Sequence, residues 1–261
     1  MKTSLLLSIY RKNTVEELNR CFESIKNQKN IPNEIIFIID GPIEESILID
    51  IEKWREILPI KIFRLIENMG LAYALNYGMR LCANDWVFRM DIDDVCAKDR
   101  FLKQIKIISL NPDIDILGGS ILCFESFPNF FSGRAVPTTF NAIRRFIKFR
   151  NPVNHPSVFF NRNKILDIGG YPDARLGQDY LLWINAIING LKIQNTNEVL
   201  VYMQVDKNSY SRRGLTNLKY DTYPYLFMYK NKISNIFELL IGLSMRLTYC
   251  TYSSIRSIIN L

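Results

Sequence analysis

Three aspartates that directly follow a short apolar run are the residues of this chain most suited to chemistry. Asp91, Asp93 and Asp94 come after the run from Trp86 to Met90, which is typical of a buried strand. Asp91 and Asp93 alternate along an extended chain, so their side chains lie on one side, and carboxylate oxygens suit Mg²⁺ or Mn²⁺. Because ligands of open α/β sheets bind beyond the carboxyl ends of the strands, the pattern indicates a metal site that could bridge a diphosphate.

The residues around the acidic cluster narrow the kinds of site that it can form. A bare cluster of this kind is more often a solvated turn or a helix cap. An EF-hand loop that starts at Asp91 is excluded, because its glycine position holds Cys96 and its closing glutamate position holds Leu102. A phosphatase-type nucleophile is disfavoured, because Val95 follows Asp94 where a threonine or serine is expected. A metal–diphosphate site is the interpretation that remains.

A second candidate acid is Asp179, at the start of an apolar helical pattern that runs from Tyr180 to Ile188. An acid at this position can simply offset the helix dipole. It can also serve as a general base, provided that it reaches an acceptor hydroxyl and is ionised at the working pH. The helix entry at Gly177 favours a place at the rim of a cleft.

Two further groups could contact a substrate. His155 is the only histidine and is followed by Pro156; a lone histidine is more often a structural hydrogen-bonding residue, and the functional interpretation places it in an acceptor pocket. Arg212 and Arg213 could clamp diphosphate oxygens with bidentate hydrogen bonds, although a solvated charge pair is at least as common.

The order of apolar runs predicts the elements that position these residues. Strand-like runs alternate with helical patterns, and Thr14 with Glu17 supplies a capping box for the first helix. Alternation of this kind predicts right-handed crossovers and a mainly parallel sheet. The predicted strands before the acidic cluster are residues 4–10, 34–39 and 60–65, and a helix over residues 71–83 leads into the strand that delivers the aspartates.

Polar residues at the ends of these strands could hold a nucleotide. Tyr10 and Asp40 end the first two strands, and the Asn68 turn opens a helix at Gly70 whose N-terminus suits a phosphate. All should share the sheet edge with Asp91. Both segments are also ordinary turn and helix-entry sequences, so a purely structural role stays open. A dinucleotide site is disfavoured, since no G-x-G-x-x-G follows the first strand.

The composition limits the fold classes and the partners that are compatible with this chain. The 261 residues are 48% hydrophobic, enough for one large α/β core with an appendage, and the net charge of +7 suits nucleotides, diphosphates or acidic lipid surfaces. No dense Lys/Arg block, zinc signature or RNP-type motif suggests nucleic acid as a partner. The five cysteines form no C-x-x-C pair, and the sequence shows no signal-peptide core or bilayer-spanning run, so a cytoplasmic protein with reduced thiols is expected.

The closing segment differs from the rest of the chain. Tyr223 to Leu261 is rich in aromatic and aliphatic residues with scattered cations, and apolar residues recur at helical spacing. A helical tail is predicted, which either packs on the catalytic domain or lies in the membrane interface. Residues 124–139, rich in Phe, Pro, Ser and Gly, are predicted to form an acceptor-side loop.

The combination of motifs resembles the inverting family-2 glycosyltransferases of the A-type fold, and is most similar to bacterial amylovoran- and O-antigen-type sugar transferases. The resemblance spans residues 1–215 in order. It rests on these segments: Ser8–Tyr10, Ile39–Pro42, Glu67–Leu71, Arg89–Asp94, Asp99–Phe101, Asn111–Ile114, Asn154–Ser157, Gly169–Tyr171 and Gly177–Trp183.

The resemblance implies an α/β, Rossmann-like nucleotide-diphospho-sugar transferase (GT-A) fold, with a mainly parallel central sheet flanked by helices and a helical C-terminal tail. Residues 1–215 would form the catalytic domain, of which residues 1–100 bind the nucleotide sugar and residues 101–215 the acceptor. Residues 216–261 would form the tail, with possible contact to a membrane surface.

The resemblance also assigns roles to single residues. Asp40 would contact the nucleobase, Asp91 the ribose or the metal, Asp93 would be the principal metal ligand, and Asp179 the catalytic base. The family usually has Glu-Asp where this chain has Gln178-Asp179, so hydrogen bonding to the acceptor would differ. Further contacts to the sugar donor are implied for Ser8, Tyr10, Asn68, Gly70, Asn76, Arg212 and Arg213, and contacts to the acceptor for His155, Gln178 and Trp183.

The activity implied is an inverting, metal-dependent hexosyl transfer from a nucleotide diphosphate sugar, expected to be a UDP-sugar, with Mn²⁺ or Mg²⁺. The expected acceptor is a GlcNAc or GalNAc on a polyprenyl diphosphate, at the inner face of the bacterial cytoplasmic membrane, in O-antigen, capsule or exopolysaccharide synthesis. A sugar-nucleotide pyrophosphorylase is a rival, but should show a Gly-rich loop after the first strand. A non-catalytic nucleotide- or membrane-docking protein is another, and would not need Asp179.

Overall fold

A computed structural model describes residues 1–174, 176–205 and 217–259 of the chain. The predicted phosphate clamp, Arg212 and Arg213, lies outside the described residues. A nine-stranded sheet forms the centre of the molecule. Its strands are β1 Thr3–Ile9, β2 Glu34–Asp40, β3 Ile60–Leu65, β4 Trp86–Arg89, β5 Val95–Cys96, β6 Ile116–Ser126, β7 Asn129–Arg134, β8 Phe159–Asn161 and β9 Ile193–Gln204.

Helices cover both faces of the sheet and close the chain. Five of them connect strands in the first 146 residues, and two more precede β9. The α-helices of the described residues, including the two that follow β9, are α1 Val15–Lys26, α2 Glu45–Arg55, α3 Leu71–Leu81, α4 Arg100–Leu110, α5 Phe140–Phe146, α6 Arg162–Asp167, α7 Gln178–Ile188, α8 Leu218–Lys230 and α9 Ile236–Ile259.

The strand order is β3-β2-β1-β4-β8-β6-β9-β5, with β7 paired to β6. Strands β1 to β4 are parallel, and β6 and β9 run in the same direction because two antiparallel pairings separate β6 from β4. The short strands β5, β7 and β8 run the other way. The predicted α/β fold with a mainly parallel sheet, flanking helices and helical C-terminal segment is confirmed.

Alternation along the first strands explains the two layers of helices. Leu5, Leu7 and Phe37 pack with α1 and α2 on one face, whereas Leu6 and Ile38 pack with α3 on the other. Both faces are buried, as in parallel sheets covered by crossover helices. The capping box predicted at the start of α1 is present, so local signals alone place this helix.

The segment predicted as an acceptor-side loop forms a β-hairpin for most of its length, which corrects that prediction. Strands β6 and β7 pair across residues 121–134. The hairpin is held by rings rather than by a continuous buried face: Phe130 lies 4.7 Å from Tyr202 and 5.9 Å from Phe127, measured between ring centroids. Tyr202 belongs to β9, so the sequence of the segment alone does not contain this partner.

The C-terminal helices contact the preceding part of the chain through a few specific side chains. Tyr225 of α8 donates to the carbonyl of Phe149 across 2.8 Å, and Lys148 pairs with Glu238 of α9 at 2.7 Å. The outer side of α9 carries exposed apolar side chains such as Phe237 and Leu240. None of the helices in the described part of the chain combines the length and apolar character needed to span a bilayer.

Candidate active site

The three predicted acids converge just beyond the end of β4. Asp91, Asp93 and Asp94 offer carboxylate oxygens that all lie within 4.8 Å of one another. Asp91 is partly exposed, whereas Asp94 is buried. The cluster sits at the carboxyl edge of the parallel strands, since β4 pairs with β1 and runs parallel to it. The prediction that Asp91 and Asp93 lie close together holds, but its reason was wrong: a turn over residues 91–94, in which the N–H of Asp94 donates to the carbonyl of Asp91 across 3.3 Å, replaces the expected alternation along an extended chain.

The acidic loop is held by residues that sequence reasoning missed. Oδ1 of Asp94 accepts from the backbone N–H of Gln204 across 2.9 Å. The guanidinium of Arg20 donates to the backbone carbonyl of Asp93 at 3.1 Å, and Gln204 donates in turn to Glu17 at 2.9 Å. These partners lie 73 to 187 residues apart in sequence, so no local pattern could have found them.

Burial and the repulsion between neighbouring carboxylates disfavour the ionised form of this cluster. Desolvation raises the pKa of Asp93 to about 7, with the negative charges of Asp91 and Glu17 adding to the effect. Burial, followed by the charge of Asp93, raises the pKa of Asp94 well above its usual range. The buried guanidinium of Arg89 pairs with Asp91 and offsets part of the repulsion.

The donor set of the cluster fits a divalent cation. All three ligands are hard carboxylate oxygens, the type preferred by Mg²⁺ and Mn²⁺. Within the described residues, nothing donates a hydrogen bond to Oδ2 of Asp94, although this oxygen is buried. A cation would compensate both the unpaired oxygen and the mutual repulsion of the carboxylates.

Asp40 organises the neighbouring edge of the sheet. Its two carboxylate oxygens accept from the backbone N–H groups of Met69 and Gly70, at 2.7 and 3.0 Å. The Asn68 amide bonds the same residue at 3.1 and 3.2 Å. Gly41 allows this close approach, since its φ is +83° and a Cβ there would lie 2.6 Å from the backbone nitrogen of Asn68. Asp40 thus ties β2 to the start of α3, and its contact to a nucleobase stays a prediction.

The remaining residues predicted to contact the sugar donor divide into two groups. Ser8 lies near the end of β1, and Tyr10 follows it with an exposed ring, so both stand at the same edge as Asp40. Asn76 has a different place: its amide accepts from the backbone N–H of Tyr171 and donates to the carbonyl of the same residue, each at 2.8 Å. These two hydrogen bonds join α3 to the segment before α7, a structural role that the sequence did not predict.

Asp179 lies in the first turn of α7, after Gly177 with a φ of +72°. Its Oδ2 accepts from the side-chain amide of Asn151 across 2.7 Å, and Gln178 beside it is half-buried. Burial raises the pKa of Tyr171, Arg89 lowers it, and the charges of Asp179 and Asp91 raise it further. The candidate base and the acidic cluster are therefore both within electrostatic reach of the same phenol.

His155 and Trp183 are buried neighbours, and His155 also contacts Tyr171. The imidazole Nε2 lies 2.8 Å from the hydroxyl of Tyr171, and burial followed by the charge of Arg89 lowers the pKa of His155 well below its usual range. The indole of Trp183 is fully buried, and its centroid lies 6.1 Å from that of the imidazole. Trp183 has no exposed surface with which to touch an acceptor, so the direct contact that was expected for it is corrected to a place in the core.

Known proteins with similar sequences share one activity class. The chain is 37% identical over 215 residues to a UDP-Gal:alpha-D-GlcNAc-diphosphoundecaprenol beta-1,3-galactosyltransferase of Escherichia coli, covering 82% of this chain and 78% of the relative. It is 33% identical to the amylovoran biosynthesis glycosyltransferase AmsE of Erwinia amylovora, covering 83% and 81%. It is 36% identical to an uncharacterized glycosyltransferase of Haemophilus influenzae, covering 94% and 92%.

Two solved structures that bind nucleotide sugars share the fold of this chain. Residues 1–349 of Staphylococcus aureus TarS in complex with UDP-GlcNAc superpose with a TM-score of 0.72 at 16% identity, covering 99% of this chain and 76% of that one. The mannosyltransferase PcManGT of Pyrobaculum calidifontis, in complex with GDP-Man and Mn²⁺, gives 0.67 at 15% identity, covering 99% and 75%. The model of the glycosyl transferase family 2 matches residues 4–169. With the acidic cluster at the sheet edge and the A-type fold, the chain therefore belongs to glycosyltransferase family 2.

Proposed function

We propose that this glycosyltransferase moves a hexose, with inversion, from a UDP-sugar onto a hydroxyl of a saccharide carried by a polyprenyl diphosphate. The observation that carries the proposal is the cluster of three carboxylates at the carboxyl edge of the sheet, whose oxygens suit a cation, together with a separate carboxylate, Asp179, in the first turn of α7. The E. coli relative named for UDP-Gal and GlcNAc-diphosphoundecaprenol supports the choice of sugar donor and acceptor. GlcNAc and GalNAc are the acceptor sugars to test.

The proposed mechanism is a single displacement. Asp179 takes the proton of the acceptor hydroxyl as its oxygen forms a bond to C1 of the sugar, and the bond from C1 to the diphosphate oxygen breaks on the opposite face. Asp93, with Asp91 and Asp94, would hold Mn²⁺ or Mg²⁺, which supplies Lewis-acid stabilisation of the departing diphosphate. Arg89 holds Asp91 in place, and the Asp40 turn keeps the start of α3 at the same edge. The nucleoside diphosphate leaves with the electron pair.

The test is release of nucleoside diphosphate from a panel of UDP-, GDP- and dTDP-sugars in the presence of Mn²⁺. Each is assayed with and without a synthetic lipid-diphosphate GlcNAc or GalNAc acceptor. Acceptor-stimulated release from one sugar donor, with a product of inverted anomeric configuration, would support the proposal. Pyrophosphate-dependent formation of a nucleoside triphosphate would support the pyrophosphorylase instead. Nucleotide binding without turnover of any sugar donor would leave a binding protein.

Metal binding is expected to depend on pH through Asp93. Protons compete with a cation for this carboxylate below its raised pKa of about 7. The rise in Tm caused by Mn²⁺ should therefore be small at about pH 6 and should grow as the pH passes through this value toward about pH 8. Thermal scans with Mn²⁺ and with EDTA in the same buffers measure the difference. A rise in Tm that is equal across this window would contradict ionisation of Asp93 as the controlling step.

We also propose that α9 docks the enzyme on an anionic membrane surface. Phe237 is 73% exposed, Leu240 and Ile241 are exposed beside it, and Lys230 and Lys232 are exposed at the turn between α8 and α9. An apolar face flanked by cations is the pattern of an interfacial helix, and each cation near an anionic surface contributes about 1 kcal/mol.

Replacing Phe237 by glutamate should weaken binding to vesicles of anionic phospholipid by roughly 10-fold or more, because the apolar contact of one large side chain is lost. Sedimentation with vesicles measures the bound fraction. The matched control is Leu110→Glu, since Leu110 is 71% exposed at the end of α4. Equal loss in both variants, or no binding by the unmodified chain, would argue that the exposed side of α9 has another purpose.

A further inference from the structure

Asn151 holds the candidate base through one hydrogen bond from a different segment of the chain. Its Nδ2 donates to Oδ2 of Asp179 across 2.7 Å, although the two residues are 28 positions apart. Asn151 lies between α5 and β8, whereas Asp179 belongs to the first turn of α7. Oδ1 of Asp179 accepts no hydrogen bond from the described residues. One carboxylate oxygen of Asp179 is thus held in place by Asn151.

The orientation of the Asn151 amide follows from its other contacts. Its Oδ1 accepts from the backbone N–H of Val153 at 3.1 Å, so the NH₂ end must face Asp179. Its backbone carbonyl accepts from the guanidinium of Arg134 at the end of β7. The backbone carbonyl of Arg134 in turn accepts from the amide of Asn154 at 3.1 Å. Because both sides of Asn151 are anchored, its amide can only donate toward the carboxylate.

We propose that Asn151 is a positioning residue for sugar transfer. By binding Oδ2 of Asp179, its amide turns Oδ1 toward the acceptor hydroxyl and keeps the carboxylate from rotating away. The inference rests on the proposed function, in which Asp179 is the base. It adds a residue from outside the helix that carries the base, and it links the β6–β7 hairpin to that base through Arg134.

The test is a double-mutant cycle on the full chain, with Asn151→Ala, Asp179→Asn and the combined variant. Asn151→Ala is expected to lower kcat by about 10- to 100-fold, the size of effect that partners of site residues show, with KM for both substrates within about twofold. If Asn151 acts through Asp179, the same replacement changes the residual rate of the Asp179→Asn enzyme by less than about twofold. Asn151→Ser, which keeps a smaller hydrogen-bond donor, should recover part of the lost rate.

Asn185→Ala is the matched control. Asn185 is a partly buried asparagine of α7, the helix that carries Asp179, and its amide donates to the carbonyl of Ile168 across 2.8 Å. This variant is expected to lower Tm while keeping kcat per folded enzyme. An equal fall in kcat in both Asp179 backgrounds, a loss confined to KM, or a fall in kcat no larger than that of Asn185→Ala would overturn the positioning role.

The activities of the two single variants distinguish failure of Asp179 as the base from failure of Asn151 as a positioning residue. If Asp179→Asn alone keeps the full rate, the proposed base is wrong and the role of Asn151 falls with it. If Asp179→Asn is impaired while Asn151→Ala is fully active, only the positioning role is overturned.

Discussion

Replacing Asp93 by alanine is expected to lower the rate of sugar transfer by about 100- to 1000-fold, the loss typical when one group that stabilises developing charge is removed. Asp93 is the member of the acidic cluster on which burial and the charges of Asp91 and Glu17 converge. A bound cation would therefore stabilise the ionised form of this carboxylate. The rise in Tm caused by Mn²⁺ should disappear in the same variant.

The same replacement should stabilise the protein in the absence of metal. A carboxyl whose pKa is raised in the folded state binds its proton more tightly there than in the unfolded chain, where it has its ordinary pKa. Stability is then lost as the pH rises from that ordinary range to the folded value of about 7. At about pH 8 with EDTA, Asp93→Ala should unfold at a higher Tm than the unmodified chain, and the gap should narrow toward acidic pH.

The control for both effects is Asp113→Ala. Asp113 is a surface aspartate paired with Lys192 at 2.9 Å, far from the cluster in the fold. Its removal should change neither kcat nor the response to Mn²⁺, because an exposed ion pair contributes little. Activity of Asp93→Ala within about tenfold of the unmodified enzyme, with the Mn²⁺ response intact, would exclude Asp93 as the principal ligand.

The sequence carried enough local information to predict the first half of the fold. Strand β3 has the predicted bounds, and the capping box at Thr14 and Glu17 marks the start of α1. Both signals depend on residues within a few positions of one another. The acidic cluster is also local in sequence, but a turn over residues 91–94 brings its carboxylates together, whereas the sequence had predicted alternation along an extended chain.

What the sequence could not provide were partners brought together by the fold. The backbone N–H of Gln204 donates to Asp94 from 110 positions away in sequence. Tyr202 packs on Phe130, in the segment that was predicted to be a loop. The sequence did not show which side chains are buried either. Trp183 follows the motif around Asp179 in sequence, but its side chain is buried in the core. Helical spacing indicates that Trp183 lies near Asp179, but it does not indicate whether the side chain of Trp183 reaches solvent.

Asp40 shows how one residue can satisfy two interpretations of a motif. The turn interpretation is met in full, because its carboxylate accepts from the backbone of Met69 and Gly70. The turn also sets the start of α3 at the edge where Asp91 lies. A structural carboxylate of this kind can shape a binding pocket without touching the ligand, when the backbone that it fixes lines such a pocket.

The last large effect is expected from Asp179→Asn. The replacement keeps the size of the side chain and an oxygen that can accept from Asn151, but an amide cannot take up the acceptor proton. The loss of a general base is expected to lower kcat by about 10²- to 10⁴-fold. Since ground-state contacts are kept, KM for the sugar donor should stay within about threefold.

This variant and Asp93→Ala should therefore fail in different ways. Asp179→Asn should keep the rise in Tm with Mn²⁺ at about pH 8, because the acidic cluster is intact, and should bind UDP as the unmodified enzyme does. The control is Gln178→Glu, which adds a charge beside the base without removing it and should leave kcat within about tenfold. If Asp179→Asn transfers sugar at the full rate, the catalytic base is a different residue. If the variant loses the Mn²⁺ response, Asp179 belongs to the same metal site as the acidic cluster.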